Sequence, residues 1–220
     1  MTHEINQITI FGGSGYLGAQ LVRQLKKTNK YRIIIVDVSA PPEDIVLDDW
    51  TLFLNIDILT ADNETLNSTV KDTDVVFFKV GKLGDPRVSS RLSEAWQFIE
   101  VNALSLQRLT PIFIENQVKK IIVDSSITAA ADFKKTVPIS EENTHGIPTN
   151  FYGLSKALLE ELCMFLYSNS HIQTIIIRYP RVYIPTQNNF LNIFVKNLAH
   201  NKPLKIFGNA DKIIDLVHID

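Results

Sequence analysis

Seven residues near the amino terminus restrict the fold of this chain more than any other feature. Gly12-Gly13-Ser14-Gly15-Tyr16-Leu17-Gly18 places glycines at 12, 15 and 18, directly after the mainly apolar run of residues 8–11. Leu17, Leu21, Val22 and Leu25 then recur on one face of a helix over residues 15–27. In that context Gly12 permits a tight turn and Gly15 lets the backbone approach a pyrophosphate. Gly18 lets the helix pack closely on the strand. The free N–H groups and the dipole at the start of such a helix favour an anion. A bare glycine pattern also fits any strand–turn–helix corner that needs small residues, so it is the flanking strand and helix that select nucleotide binding.

The rest of the chain keeps this rhythm. Strands are predicted at residues 31–38, 52–56, 75–80, 120–125 and 172–178, and helices at 61–70 (with Asp62 as N-cap), 89–116 and 151–167. Strands alternating with helices imply right-handed crossovers and a parallel sheet covered on both faces, an α/β doubly wound architecture of Rossmann type. Residues 128–148 break the pattern and read as a polar loop with Pro138, Gly146 and Pro148. A helix over 188–198, a strand over 204–207 and a hairpin-like end follow. The expected division is a dinucleotide-binding domain over 1–180 and a small lobe over 181–220.

Asp37 closes the second strand about 20 residues after the glycines, where a carboxylate accepts hydrogen bonds from ribose hydroxyls. It repels a 2′-phosphate, which favours NAD over NADP. Asp57, after the third strand, is placed to accept from an adenine amino group, with a plain loop aspartate as the alternative. The candidate cofactor contacts are Gly12, Ser14, Gly15, Tyr16, Leu17, Gly18, Asp37, Asp57, Ile58, Val80 and Lys156.

Tyr152 and Lys156 stand four apart at the start of a helix and so share a face. A phenol is a weak base at its free pKa of about 10, and a neighbouring ammonium favours the phenolate. The tyrosine can then exchange a proton with a substrate hydroxyl. Ile121-Ile122-Val123-Asp124-Ser125-Ser126 runs a strand into small hydroxyl residues at the edge where open parallel sheets bind ligands. Ser126 there is a candidate donor to a substrate oxygen. The candidate catalytic set is therefore Ser126, Tyr152 and Lys156.

With 220 residues, 45% of them hydrophobic and 21% charged, the chain has the composition of a globular protein. A net charge of −2 provides no basic field for nucleic acid or anionic membrane. Cys163, the single cysteine, excludes an internal disulfide and fits a reducing compartment. No histidine spacing resembles a metal site. No apolar leader or 20-residue apolar run is evident, so a cytoplasmic location is expected. Cys163, Trp50 and Trp96 read as packing residues.

These motifs, in order along the whole chain, resemble the extended short-chain dehydrogenase/reductase family, in particular its NAD-dependent epimerase/dehydratase branch. The resemblance rests on the glycine loop, Asp37, Asp57, Asp74-Val75-Val76-Phe77-Phe78, Val101-Asn102-Ala103 and Val123-Asp124-Ser125-Ser126. It extends through Pro148 ahead of Tyr152-x-x-x-Lys156, Arg178-Tyr179-Pro180-Arg181-Val182-Tyr183, Phe207-Gly208-Asn209 and Asp215-Leu216-Val217-His218. It implies that Tyr152 is the acid/base and that Lys156 binds the nicotinamide ribose. Ser126 would orient the substrate oxygen, with Ser125 and Thr128 as fallbacks, while Asn102 would position the long helix and the lysine. It further implies a nucleotide-sugar substrate and a homodimer formed through the long helix and the Tyr152 helix. The Leu104/Leu109/Ile112 face would be core or dimer face.

The chain departs from the family pattern at Phe11 and at Lys79-Val80-Gly81, which replaces the usual His-x-Ala near the cofactor. Ile214 stands where sugar-nucleotide members commonly carry an arginine that clamps the diphosphate, a charge that Arg181 or Lys212 would have to supply. The sequence ends at Asp220, before elements that complete the substrate lobe in the family, so a partial lobe is expected. A second reading is a reductase of a non-nucleotide carbonyl or hydroxyl compound; a third is an NAD-binding regulator without turnover.

Overall fold

A computed structural model describes residues 5–83, 93, 95–130, 141, 147–183, 190–206 and 215–220. The chain divides into two compact units, Met1–Arg178 and Tyr179–Asp220.

The first unit begins with β1 (Gln7–Phe11), α1 (Tyr16–Thr28), β2 (Arg32–Asp37), β3 (Thr51–Asn55), α2 (Asn63–Val70) and β4 (Val75–Phe78). It continues with α3 (Ala95–Ile99), a π-helical turn (Glu100–Leu104), α4 (Ser105–Glu115), β5 (Lys120–Ser126), α5 (Ile127–Ala130) and α6 (Phe151–Asn169), and β6 (Gln173–Tyr179) closes the sheet. The strand order is β3-β2-β1-β4-β5-β6, and the pairings among β1 to β5 are parallel. The order reverses beside β1, which opens a crevice at the carboxyl ends of β1 and β4.

Period-two alternation sorts the strand residues between two apolar layers. Phe11, Ile34, Val36, Val76, Phe78, Ile121 and Val123 face one side with Leu106, Leu109, Ile112 and Phe113 of α4 and Leu159, Cys163 and Leu166 of α6. Ile8, Ile10, Ile33, Ile35, Val75 and Ile122 face the other, where Ala19 and Val22 of α1 cover them. With both faces buried, the strands read as nearly continuous apolar runs. Leu109 and Ile112 are thus core, whereas Leu104 is exposed.

The long helix expected over 89–116 is interrupted. Asn102 is fully buried within the π-helical turn, and its amide needs internal partners there. Asp62 caps α2, its Oδ1 accepting from Thr65 N at 2.7 Å. Asn150 caps α6 in the same way, accepting from Gly153 N at 2.9 Å. The loop expected over 128–148 begins inside α5, and residues 131–140 and 142–146 lie outside the described residues. Trp50 and Trp96 are not packing residues: they are 63% and 57% exposed.

In the second unit, β7 (Arg181–Tyr183) pairs in parallel with β8 (Leu216–His218), and α7 (Phe190–Ala199) lies between them in sequence. The hairpin-like end is therefore corrected, because a parallel pair requires a crossover rather than a tight turn. Leu204, Lys205 and Ile206 form no strand. Lys212, Ile214 and the Phe207-Gly208-Asn209 motif lie outside the described residues.

Candidate active site

The glycine loop is shaped by contacts that exclude side chains. Gly12 has φ +76°, in the left-handed region, and any Cβ there would meet the backbone of Lys79 and Val80 at 2.7 Å. A Cβ on Gly18 would stand 2.2 Å from the Gly12 carbonyl oxygen, so α1 reaches the turn only through a bare Cα. Ser14 Oγ is buried and has no hydrogen-bond partner among the described residues, which leaves a donor in the loop to be satisfied. Gly15 is the N-cap residue of α1.

A cleft of about 400 Å³ opens beside this loop, lined by Gly12, Gly15, Asp37, Asp57, Ile58 and Val80 among others. Ser14, Tyr16, Leu17 and Gly18 belong to the loop and helix behind it. Asp37 Oδ2 accepts from Ser14 N at 3.0 Å, so the carboxylate at the end of β2 braces the loop. Asp57 Oδ1 accepts from Leu59 N at 2.9 Å and shapes the turn after β3. The orphaned Ser14 hydroxyl, the Gly12–Gly18 cradle and the Asp37 carboxylate fit a dinucleotide.

That turn is held from below by a residue the sequence reading passed over. Arg108 on α4 donates to the carbonyls of Ile58 (2.7 Å), Leu59 and Ala61 (2.7 Å). An arginine amid a helix reads as a solvated charge, and nothing local announces its three carbonyl partners.

The hydroxyl and amine groups lie toward the carboxyl ends of β4 and β5. Tyr152 meets the Phe98 ring edge-on, centroids 6.4 Å apart. Thr128 Oγ1 donates to Ser126 Oγ at 2.9 Å. Burial pushes the Tyr152 phenol above its ordinary pKa, the nearby Ser126 hydroxyl opposes this, and the Asp124 carboxylate adds to it. The expectation of a phenol made acidic by its lysine is thus not met: burial dominates.

Lys156 is 4% exposed, and its Nζ donates to the Asp124 carbonyl at 2.8 Å. Burial pulls its pKa from 10.5 down to about 8. A Cβ on Gly81 would lie 3.4 Å from this Nζ, and Gly81 itself lines the cleft, so the lysine stands at the cleft's end. Asn102 Nδ2 donates to Ser155 Oγ at 2.9 Å, while its Oδ1 accepts from Lys82 N at 2.6 Å. It ties the π-helical turn to α6 and to the segment after β4.

Three further features were not foreseen. A Cβ on Gly153 would meet the Thr128 carbonyl at 2.6 Å, so the glycine beside Tyr152 allows α6 to approach α5. Ser125 turns away from Ser126 and donates to Glu160 Oε1, and Glu160 is clasped by Arg178 at 2.8 and 2.5 Å. Lys79 Nζ pairs with Asp124 Oδ1 at 2.6 Å, with side chains 6% and 8% exposed. Cys163 is buried, and its thiol is pushed up to about 12, which suits a core residue and not a nucleophile.

Fold and glycine-loop cleft together define a dinucleotide-binding α/β protein of Rossmann type. Residues 8–220 match the NAD dependent epimerase/dehydratase family, and the chain belongs to that family. It is 26% identical over 226 residues to the uncharacterized UDP-glucose epimerase YtcB of Bacillus subtilis, covering 97% of this chain and 69% of that protein. A putative UDP-glucose 4-epimerase of Methanocaldococcus jannaschii is also 26% identical, over 96% of this chain and 69% of its own length. The crystal structure of UDP-glucuronic acid 4-epimerase from Bacillus cereus, in complex with UDP-glucuronic acid and NAD, superposes with a TM-score of 0.83 at 26% identity. That match covers 97% of this chain and 69% of the other. Among the described residues no helix is long and apolar enough to cross a membrane.

Proposed function

We propose that this protein is an NAD-dependent epimerase or dehydratase that acts on a sugar nucleotide through transient oxidation of a substrate hydroxyl. The observation that carries this reading is Lys156 Nζ, held on the Asp124 carbonyl beside Gly81 of the cleft that the glycine loop also lines, with Ser126 ending β5 and Tyr152 opening α6 nearby. The names of the relatives supply the substrate class.

Gly12, Ser14, Gly15 and the start of α1 would hold the diphosphate of NAD, Asp37 a ribose, and Lys156 the nicotinamide ribose. NAD, when bound, supplies the hydride acceptor and donor. The chain's own residues manage the proton and the oxygen. Tyr152 Oη takes the proton of the substrate hydroxyl and returns it. Ser126 Oγ, hydrogen-bonded to Thr128 at the end of β5, donates to the same oxygen and steadies its developing charge. Lys156 Nζ, anchored on the Asp124 carbonyl, is held ready to bind the nicotinamide ribose. Burial raises the phenol, and the positive nicotinamide ring of bound NAD would favour the phenolate against it.

The two units correspond in this reading to a cofactor domain and a substrate lobe. The protein works in the cytoplasm as a homodimer, and the exposed Ile114 of α4 and Met164, Phe165 and Tyr167 of α6 supply the apolar surface for pairing.

Tyr152→Phe tests the reading. With UDP-glucose and UDP-glucuronic acid as probes and product sugars resolved by chromatography, turnover falls at least about 100-fold. Calorimetric NAD affinity stays within a few-fold of the parent. Unchanged turnover removes Tyr152 as the base, and absence of NAD uptake by the parent protein removes the reading altogether.

A further inference from the structure

The buried Lys79–Asp124 pair is not explained by the catalytic set, and its position is specific. Phe78 and Val123 are register partners, so the next residues, Lys79 just past the end of β4 and Asp124 within β5, stand side by side. Both follow residues of the α1-facing layer, Phe77 and Ile122, by two positions. Their side chains meet at 2.6 Å with almost no exposure. Asp124 then serves two lysines at once: its carboxylate takes Lys79 and its carbonyl takes Lys156 at 2.8 Å. Its second carboxylate oxygen, Oδ2, is buried with no hydrogen-bond partner among the described residues. A buried pair of this kind is costly to form and adds little net stability, so a role beyond stability is the more economical account.

We infer that Lys79 and Asp124 form a charge-balancing positioning pair for Lys156: the Asp124 carbonyl holds the ammonium in place, and Lys79 offsets the carboxylate that would otherwise act on it in full. The inference deepens the proposed function and rests on Lys156 being the working partner of Tyr152. Electrostatics agree with the geometry. After burial, the Lys156 amine feels Asp124, then Cys163 and Glu160 on its own helix, all favouring the charged form, with Lys79 opposing it. The pair also borders the cleft, since Lys79 lines it with Val80 and Gly81. Removing either member therefore changes the charge on Lys156 in a direction set by which member is lost.

The test follows the ¹³Cε resonance of Lys156 in the ligand-free protein labelled with ¹³C-lysine, assigned by its loss in Lys156→Met. Lys79→Met removes an opposing cation and raises the titration midpoint by about one pH unit; Asp124→Asn removes the anion and lowers it by about as much. The double variant returns near the parental midpoint, and Lys79→Arg leaves it in place. If Lys79→Met fails to fold, Asp124→Asn against the double variant isolates the same cation, whose loss raises the midpoint. Shifts in one direction for both single variants, or no shift in either, overturn the inference. Turnover of Tyr152→Phe separates the two claims. An active Tyr152→Phe with opposite Lys156 shifts refutes the function alone; an inactive one without those shifts refutes the pair's role alone.

Discussion

Replacing Lys156 with methionine removes an ammonium that folding takes almost completely out of water. The side chain is 4% exposed, and burial lowers its pKa from 10.5 to about 8. Below pH 8 both folded and unfolded chains are protonated at this site, and the folded one carries the full cost of the buried charge. Between 8 and 10.5 the unfolded chain binds more protons than the folded one, so stability rises with pH, and above 10.5 the gain is complete. A difference of about 2.5 pH units corresponds to roughly 3 kcal/mol, of which about 2 kcal/mol is recovered between pH 7 and 9.5. Urea unfolding of the parent and of Lys156→Met at half-unit intervals across that range measures it. The methionine variant lacks this titration, so the stability of the parent relative to the variant climbs by about 2 kcal/mol as pH rises. Parallel curves for the two proteins would show that Lys156 is not buried in its charged form and would refute the geometry around Asp124.

Two other outcomes follow from contacts in the cofactor half. Gly18→Ala places a methyl 2.2 Å from the Gly12 carbonyl, so either α1 or the turn must move. A stability loss of about 1–3 kcal/mol in urea melts and a marked loss of NAD affinity by calorimetry are expected. Arg108→Met strips three carbonyls of their charged donor and costs about 2 kcal/mol of stability in the same melts. NAD binding weakens with it, because Ile58 and Leu59 line the cleft; Arg108→Lys restores part of both.

Much of the fold was legible because burial on both faces of a parallel sheet writes itself locally. The strand cores at 33–36, 75–78 and 121–123 are apolar runs, and the helix covering β1 and β2 shows its stripe through Ala19 and Val22. The glycine spacing was equally legible, since a tight turn against a helix tolerates no Cβ at Gly12 or Gly18. Errors fell where the cause is remote. The π-helical turn answers the needs of Asn102, whose partners Lys82 and Ser155 lie 20 and 53 residues away. The parallel pairing of β7 with β8 could not be read from two three-residue strands.

The sequence by itself determined the alternation of strands and helices through β5, the glycine cradle and the four-residue spacing of Tyr152 and Lys156, because each depends on neighbours within a turn or two of chain. Only the tertiary structure decided the charges on those groups. Lys79, Asp124 and Lys156 are brought together by strand register and a helix packed across it, and burial, a property of the assembled layers, outweighs the pairwise attraction that spacing alone leads one to expect.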